Sequence, residues 1–238
     1  MTGLKAQTSG GAQLSNGRPD LQGIWQALNT AEWNLEPHEG RPGIPPGMSV
    51  VEGGLIPYQP WAAAKRQENL QRRETEDPVS KCYLPGVPRA TYMGFPFQIF
   101  QSESQVLMLY EYAHTVRTIP TTGKPFAFDG AEFWMGESRG RYEGNSLVVE
   151  TRNFNDATWF DRAGNFHSEA LRVVERYTKT EPNLIMYEAR IEDPKVFTRP
   201  WTISMPLYRR REPNLQLLEY ECYSFPGFEP PTAPARSN

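Results

Sequence analysis

The stretch Trp134–Tyr177, WMGESRGRYEGNSLVVETRNFNDATWFDRAGNFHSEALRVVERY, reads as strand, tight turn, strand, polar loop and strand. Its first hairpin runs from EFWMGESRGRY into SLVVETRNF with Gly144 and Asn145 in the turn, residues suited to a short connection between antiparallel strands. The loop that follows, Asn155–Glu169, gathers two Asp, an Arg, a His, a Glu and three aromatic residues. Loops carried on a rigid scaffold are where binding and catalytic groups concentrate.

Working outward, the same period of two recurs along the chain. FQIFQS and VLMLYEYAH form a second hairpin, with Val106, Met108, Tyr110 and Tyr112 sharing one face, and TVRTIP extends it. After the focal stretch, LIMYEARI aligns Ile185, Tyr187, Ala189 and Ile191, and WTISMPL aligns Trp201, Ile203, Met205 and Leu207. LQLLEYEC would bring Leu218, Tyr220 and Cys222 together on a last strand, and the turns TEPN and REPN separate these runs. Near the front, DLQGIWQAL gives a first strand whose G-x-W echoes the opening strand of lipocalin-type barrels. About eight to ten antiparallel strands with short connections predict a mainly β fold. We expect a single antiparallel β-barrel, calycin- or lipocalin-like, rather than a sandwich. The reason is that Glu111, Arg172, Glu175, Arg176, Glu188 and Arg190 recur within otherwise apolar strands. They mark either the wet face of the sheet or a polar pocket inside a barrel.

Between the first strand and the second hairpin the chain is rich in proline and glycine, which break regular structure. Pro60 opens the one convincing helix, PWAAAKRQENLQRRETED, proline being suited to the first helical position. Its apolar face, Trp61, Ala64 and Leu70, is thin, so it should lie on the surface across the barrel or at one end. DPVSKCYLPGVPRATYMGFPF has too much proline for a central strand and should be an ordered loop presenting Arg89 and Tyr92. The expected organisation is a flexible tail over 1–19, one barrel domain over 20–225, and a flexible tail over 226–238.

The 238 residues carry a net charge of -3, with 22 prolines, 19 glycines and 12% aromatic residues. With a pI near 5.8 and no basic run longer than Arg209–Arg211, the chain lacks a nucleic-acid footprint. No apolar run approaches a membrane helix, and MTGLKAQTSGGAQLSNG lacks the apolar centre of a signal peptide. A complete chain would be cytoplasmic. The polar, small-residue leader instead suits a mature periplasmic or secreted protein whose signal is missing here. Cys82 and Cys222 are too few for a four-ligand zinc site and form no C-x-x-C motif. In an exported protein a Cys82–Cys222 disulfide is open to them, and in a cytosolic one both are buried apolar residues.

YQPWAAAK, DPVSKCYLPGVPRATY, WMGESRGRYEGNSLVVET, FNDATWFDRAGNFHSEALRVVERY and IEDPKVFTRPW resemble a large family of uncharacterised, commonly exported bacterial proteins of acidobacteria, planctomycetes and proteobacteria. The likeness spans Asp20 to Cys222. It implies export, and with it a Cys82–Cys222 disulfide, and brings no established activity.

Three chemistries are open to these residues. Gly136, Glu137, Ser138, Arg139 and Gly140 spell G-x-S-x-G, but a nucleophile elbow needs a helix leaving the serine, and here a hairpin follows. His38, His114 and His167 could supply a three-histidine metal site of a hydrolase, yet they show no close ligand spacing; no metal or cofactor is expected. Acid–base chemistry is favoured: His167 titrates near neutrality, Asp161 would orient it, Arg89 would clamp a substrate anion, and Tyr92 would contact a phenol. Tyr110, Tyr112, Tyr142, Trp159, Arg172 and His114 would line the binding site. The expected function is a cofactor-independent lyase or isomerase (decarboxylation, dehydration or proton shift) acting on a hydrophobic or aromatic small molecule inside the barrel. Barrel-type phenolic acid decarboxylases are similar in architecture, and there a closed apolar cavity with a few Tyr, Arg and Glu groups suffices. The alternative is a non-catalytic exported binding protein using the same cavity. Partners are a small molecule, with neither nucleic acid nor membrane, and a homodimer remains open.

Overall fold

Alternation of apolar and polar residues produces nine strands: β1 (Gly23–Ala27), β2 (Phe97–Gln101), β3 (Gln105–Tyr110), β4 (Val116–Pro120), β5 (Glu137–Glu143), β6 (Ser146–Arg152), β7 (Arg172–Glu181), β8 (Leu184–Glu192) and β9 (Trp201–Arg209). They form one antiparallel sheet in the order β4-β3-β2-β1-β9-β8-β7-β6-β5. The computed structural model describes residues 13–127 and 130–222. The sheet curls into a nearly closed barrel, and its two end strands meet through side chains. Arg117 on β4 donates from Nε to Ser138 Oγ on β5 at 2.9 Å. Gly140 lets the strands approach, because a Cβ there would lie 2.8 Å from Ile119 Cγ2.

The focal hairpin forms as its residues predict: Glu143 pairs with Ser146 across the Gly144–Asn145 turn, with Gly144 at φ +55°. On β8, Ile185, Tyr187, Ala189 and Ile191 all point inward and are fully buried. On β9, Trp201, Ile203, Met205 and Leu207 do the same. With Trp25, Phe97 and Tyr177 they pack the bore with side chains, as interiors of small barrels are. Of the six charged residues expected within strands, Glu175 faces this interior, Glu111 is buried just past the end of β3, and Arg172, Arg176, Glu188 and Arg190 stand on the outer face.

Two expected elements differ. LQLLEYEC is not a strand; residues 210–222 run irregularly and touch β-structure through a Tyr112–Tyr220 bridge. With β1 already between β2 and β9, no edge is left beside β9 to accept it. TVRTIP is a full strand, β4, rather than an extension. Residues 13–19, expected as tail, close a turn held by a Gln13–Pro19 bridge, with Arg18 over the Tyr142 ring at 4.7 Å. The rest of that tail and residues 226–238 lie outside the described residues.

The helix α1 (Pro60–Gln71) carries Pro60 in its first turn and buries only Ala62 and Asn69. Trp61 is exposed and donates to Lys195 O at 3.2 Å, so the expected Trp61–Ala64–Leu70 face is not the docking face. The helix is seated on the focal loop at Gly164, where a Cβ would meet Leu70 N at 2.7 Å and Arg66 O at 3.0 Å. A short helical turn, α2 (Arg73–Glu76), continues it. Cys82 and Cys222 are joined in a disulfide with Cα atoms 5.7 Å apart, across 140 residues. Closing so long a loop stabilises the fold by roughly 3–5 kcal/mol in the chain-entropy account.

Candidate functional site

The focal loop folds back on itself through Phe160 N, which donates to Asn165 O at 2.6 Å. Asp161 organises this turn. Its Oδ1 accepts from Ala163 N (2.9 Å) and Asn165 N (3.3 Å), and its Oδ2 from Leu35 N (2.8 Å) and Asn165 Nδ2 (2.6 Å). Burial pushes its carboxyl up to about 6 against the pull of these donors. Asp161 is therefore a scaffold for the loop and does not orient His167.

His167 is buried between Phe154 and Phe160, with ring centroids 5.8 and 5.3 Å away. Its Nδ1 lies 2.9 Å from Ser168 O, which can only accept, so Nδ1 carries the proton. Nε2 then accepts from Thr158 Oγ1 at 2.7 Å. Burial lowers its pKa below the usual histidine value, and the imidazole is neutral with both nitrogens engaged. It borders an outer cleft of about 510 Å³ under α1, walled by Trp61, Trp159 and Phe166 and rimmed by Lys65, Arg72, Glu76 and Asp156.

The remaining expected site residues do not converge there. Arg89 is buried in a two-pronged pair with Asp77 (2.7 and 2.8 Å), which occupies the fork meant for a substrate anion. Tyr92 is fully buried and donates to Phe160 O at 2.9 Å, so neither residue is presented to a ligand. Tyr112 donates to Val79 O (3.2 Å) and Tyr83 O (3.3 Å) outside the barrel. Tyr142 Oη accepts from Gln101 Nε2 at 2.9 Å. Arg172 pairs on the outer face with Glu150 (2.7 Å) and Glu192 (3.0 Å), and His114 is exposed beside Glu221 at 3.1 Å. His38, His114 and His167 stand apart. Among the described residues no group of three or more His, Cys, Asp or Glu is placed to hold a metal ion.

Titratable groups converge instead inside the barrel, around Glu175 on β7. Its Oε1 accepts from Tyr177 Oη at 2.8 Å and Tyr187 Oη at 2.9 Å, and its Oε2 is bound by Arg117. Arg117 also donates to Ser138 Oγ (2.9 Å) and Thr151 Oγ1 (2.8 Å). Burial works against the Arg117 charge, but Glu175 outweighs it and holds the guanidinium protonated. Burial, with Glu175 alongside, keeps the Tyr177 and Tyr187 phenols protonated, and burial does the same for Tyr110. Arg117 Nη1 is buried without a partner at good hydrogen-bond geometry, and the guanidinium also acts on the Tyr110 phenol beside it. A cleft of about 230 Å³ opens from the surface at the β4–β5 seam and is lined by Arg117, Ser138, Val116, Phe133, Met135 and Arg139. Ser138 is the second residue of β5, which turns into strand β6 with no helix after it, so its G-x-S-x-G string serves strand packing.

Sequence reasoning missed Arg117, whose neighbours in TVRTIP are unremarkable. Glu175 left a trace, since it shares the inward row of β7 with Val173, Tyr177 and Lys179. No protein-family model matches the chain, and no curated protein does.

Proposed function

We propose that the protein is a cofactor-independent lyase or isomerase acting on a small aromatic carboxylic acid, with Arg117, Glu175 and the bore tyrosines in the roles first assigned to the His167 group. The supporting observation is that Arg117, whose buried Nη1 has no partner at good geometry, is one of the residues lining a cleft that opens at the seam. A buried guanidinium with an unused N–H is a strong partner for a carboxylate. Next to it, Glu175 accepts from two protonated phenols, and a carboxylate and phenols are among the groups general acid–base catalysis uses. A cluster of perturbed titratable groups beside a cleft is a functional-site candidate with a physical rationale.

The test is a panel of aromatic carboxylic acids, such as benzoate, cinnamate and 4-hydroxycinnamate, followed by ultraviolet absorbance and carbon dioxide release. Turnover of one of them should fall by about 10²-fold or more in Arg117→Gln and Glu175→Gln, with folding checked by near-ultraviolet circular dichroism. His167→Gln should keep it. Turnover surviving in both bore variants, or no change and no binding across the panel, overturns the reading.

The second reading is a non-catalytic carrier, and one observation favours it: the outer cleft has aromatic walls and a neutral imidazole as its polar anchor. Quenching of tryptophan emission by an unconverted aromatic ligand, lost in Trp159→Ala, would select it. The Cys82–Cys222 bond supports placement in the periplasm or outside the cell, where disulfides persist, and calycin-like is the barrel type that suits either reading.

A further inference from the structure

On the other side of α1 lies a second kind of site. Two adjoining clefts, of about 320 and about 250 Å³, share Trp33, Ile44, Arg73 and Arg162. Three pieces of chain build them. One is a small hairpin in which His38 pairs with Gly47 and Arg41 with Ile44; Gly43, at φ +77°, turns its tip. The second is the face of α1 and α2 bearing Arg66, Leu70 and Arg73. The third is the turn at Arg162 and Ala163.

Four arginines thus face one hollow, and their partners do not use them up. Arg162 stacks on Trp33 at 4.9 Å and gives Nε and Nη2 to Glu32 Oε1 (2.9 and 2.8 Å), which fixes its direction. Among the described residues, the Arg66 side chain makes only long polar contacts, 3.4 Å to Asn165 Oδ1 and 3.8 Å to Glu36, and the Arg73 side chain pairs only with its sequence neighbour Glu74, whose side chain is 84% exposed. Arg41 has no ion pair or side-chain hydrogen bond among the described residues. The acidic groups bordering the hollow are Glu39, Glu74 and Asp77, and Asp77 is already committed to Arg89.

We propose that this hollow binds a small multivalent oxyanion, a polycarboxylate or a phosphoryl compound, independently of the reaction assigned to the bore. Guanidinium forks converging from three separate pieces of chain match oxyanions with more than one charged group. Trp33 and Ile44 supply an apolar wall for the ligand's carbon part.

The experiment is calorimetric titration of the full chain with citrate, with pyrophosphate and with the monoanion benzoate, at about 20 and about 150 mM NaCl. Citrate or pyrophosphate should bind at least about tenfold more tightly than benzoate at this site, and higher salt should weaken it. In the double variant Arg41→Gln/Arg73→Gln, where exposed Arg41 and half-buried Arg73, paired only with its neighbour Glu74 among the described residues, are changed, affinity should drop about tenfold or more. Binding of citrate alone identifies a carboxylate site, and of pyrophosphate alone a phosphoryl site. No binding of either at millimolar concentration, or equal affinity in the double variant, overturns the proposal.

Discussion

Replacing Arg117 by methionine isolates the energetics of the bore. The guanidinium is 2% exposed and its partner Glu175 0%, so both charges have left water. Methionine removes the bond to Glu175 and the donors to Ser138 Oγ and Thr151 Oγ1. Glu175 then stays buried with two phenol donors and no cation. Breaking a buried pair from one side costs about 3–5 kcal/mol, because the remaining charge is uncompensated. For a domain of this size that corresponds to a fall in Tm of roughly 6–20 °C. Adding Glu175→Gln keeps an acceptor for Tyr177 and Tyr187 and removes the stranded charge. The double variant should therefore recover at least about 1 kcal/mol over Arg117→Met, a clear departure from additivity. Urea unfolding followed by tryptophan fluorescence and circular dichroism measures all three variants. A single variant within about 1 kcal/mol of the parent, or a strictly additive double, would refute the reasoning. A double variant that folds yet has lost turnover would separate the pair's chemistry from its part in stability.

Gly164→Ala should destabilise more than Gly53→Ala, although both glycines have left-handed φ, +81° and +79°. At Gly53 nothing lies within 4 Å of the new Cβ, leaving a backbone cost of about 1–2 kcal/mol; at Gly164 α1 must also move off its seat, and thermal unfolding of the pair will compare them, equal losses counting against close helix docking. His167 sets a pH dependence. Its folded pKa lies below the ordinary value, so its contribution is complete above about pH 6.5 and is lost as the unfolded chain takes up a proton below that. Asp161, raised to about 6, acts with the opposite sign, its charged form being disfavoured as pH rises from about 4 to 6. The comparison with His167→Gln removes that background: the variant's stability should fall less steeply than the parent's between about pH 7 and 5, and parallel profiles would contradict a buried neutral imidazole.

The strands were legible because alternation is local: whether Ile185, Tyr187, Ala189 and Ile191 share a face follows from backbone geometry alone, and the structure buries all four. Pro60 and the Gly144–Asn145 turn were legible for the same reason. LQLLEYEC alternates as well as β8 does, yet it forms no strand, since pairing depends on a free edge rather than on pattern. Arg89 and Tyr92 looked available because their segment is proline-rich and aromatic, which reads as an ordered loop. In the fold Asp77 and Phe160 O satisfy them, and nothing local reveals a partner twelve or sixty-eight residues away.

By itself the sequence determined that this chain makes an antiparallel barrel with a surface helix, and that titratable groups crowd Asn155–Glu169. Tertiary structure alone decided which of those groups are occupied and which remain free. Closure of the barrel carries Arg117 across the seam to Ser138 and inward to Glu175, 58 residues along the chain. Folding of the loop against Leu35 and onto its own Thr158 uses up Asp161 and His167. The physical reason is that hydrogen-bond capacity is finite, and who takes it is settled by neighbours in space.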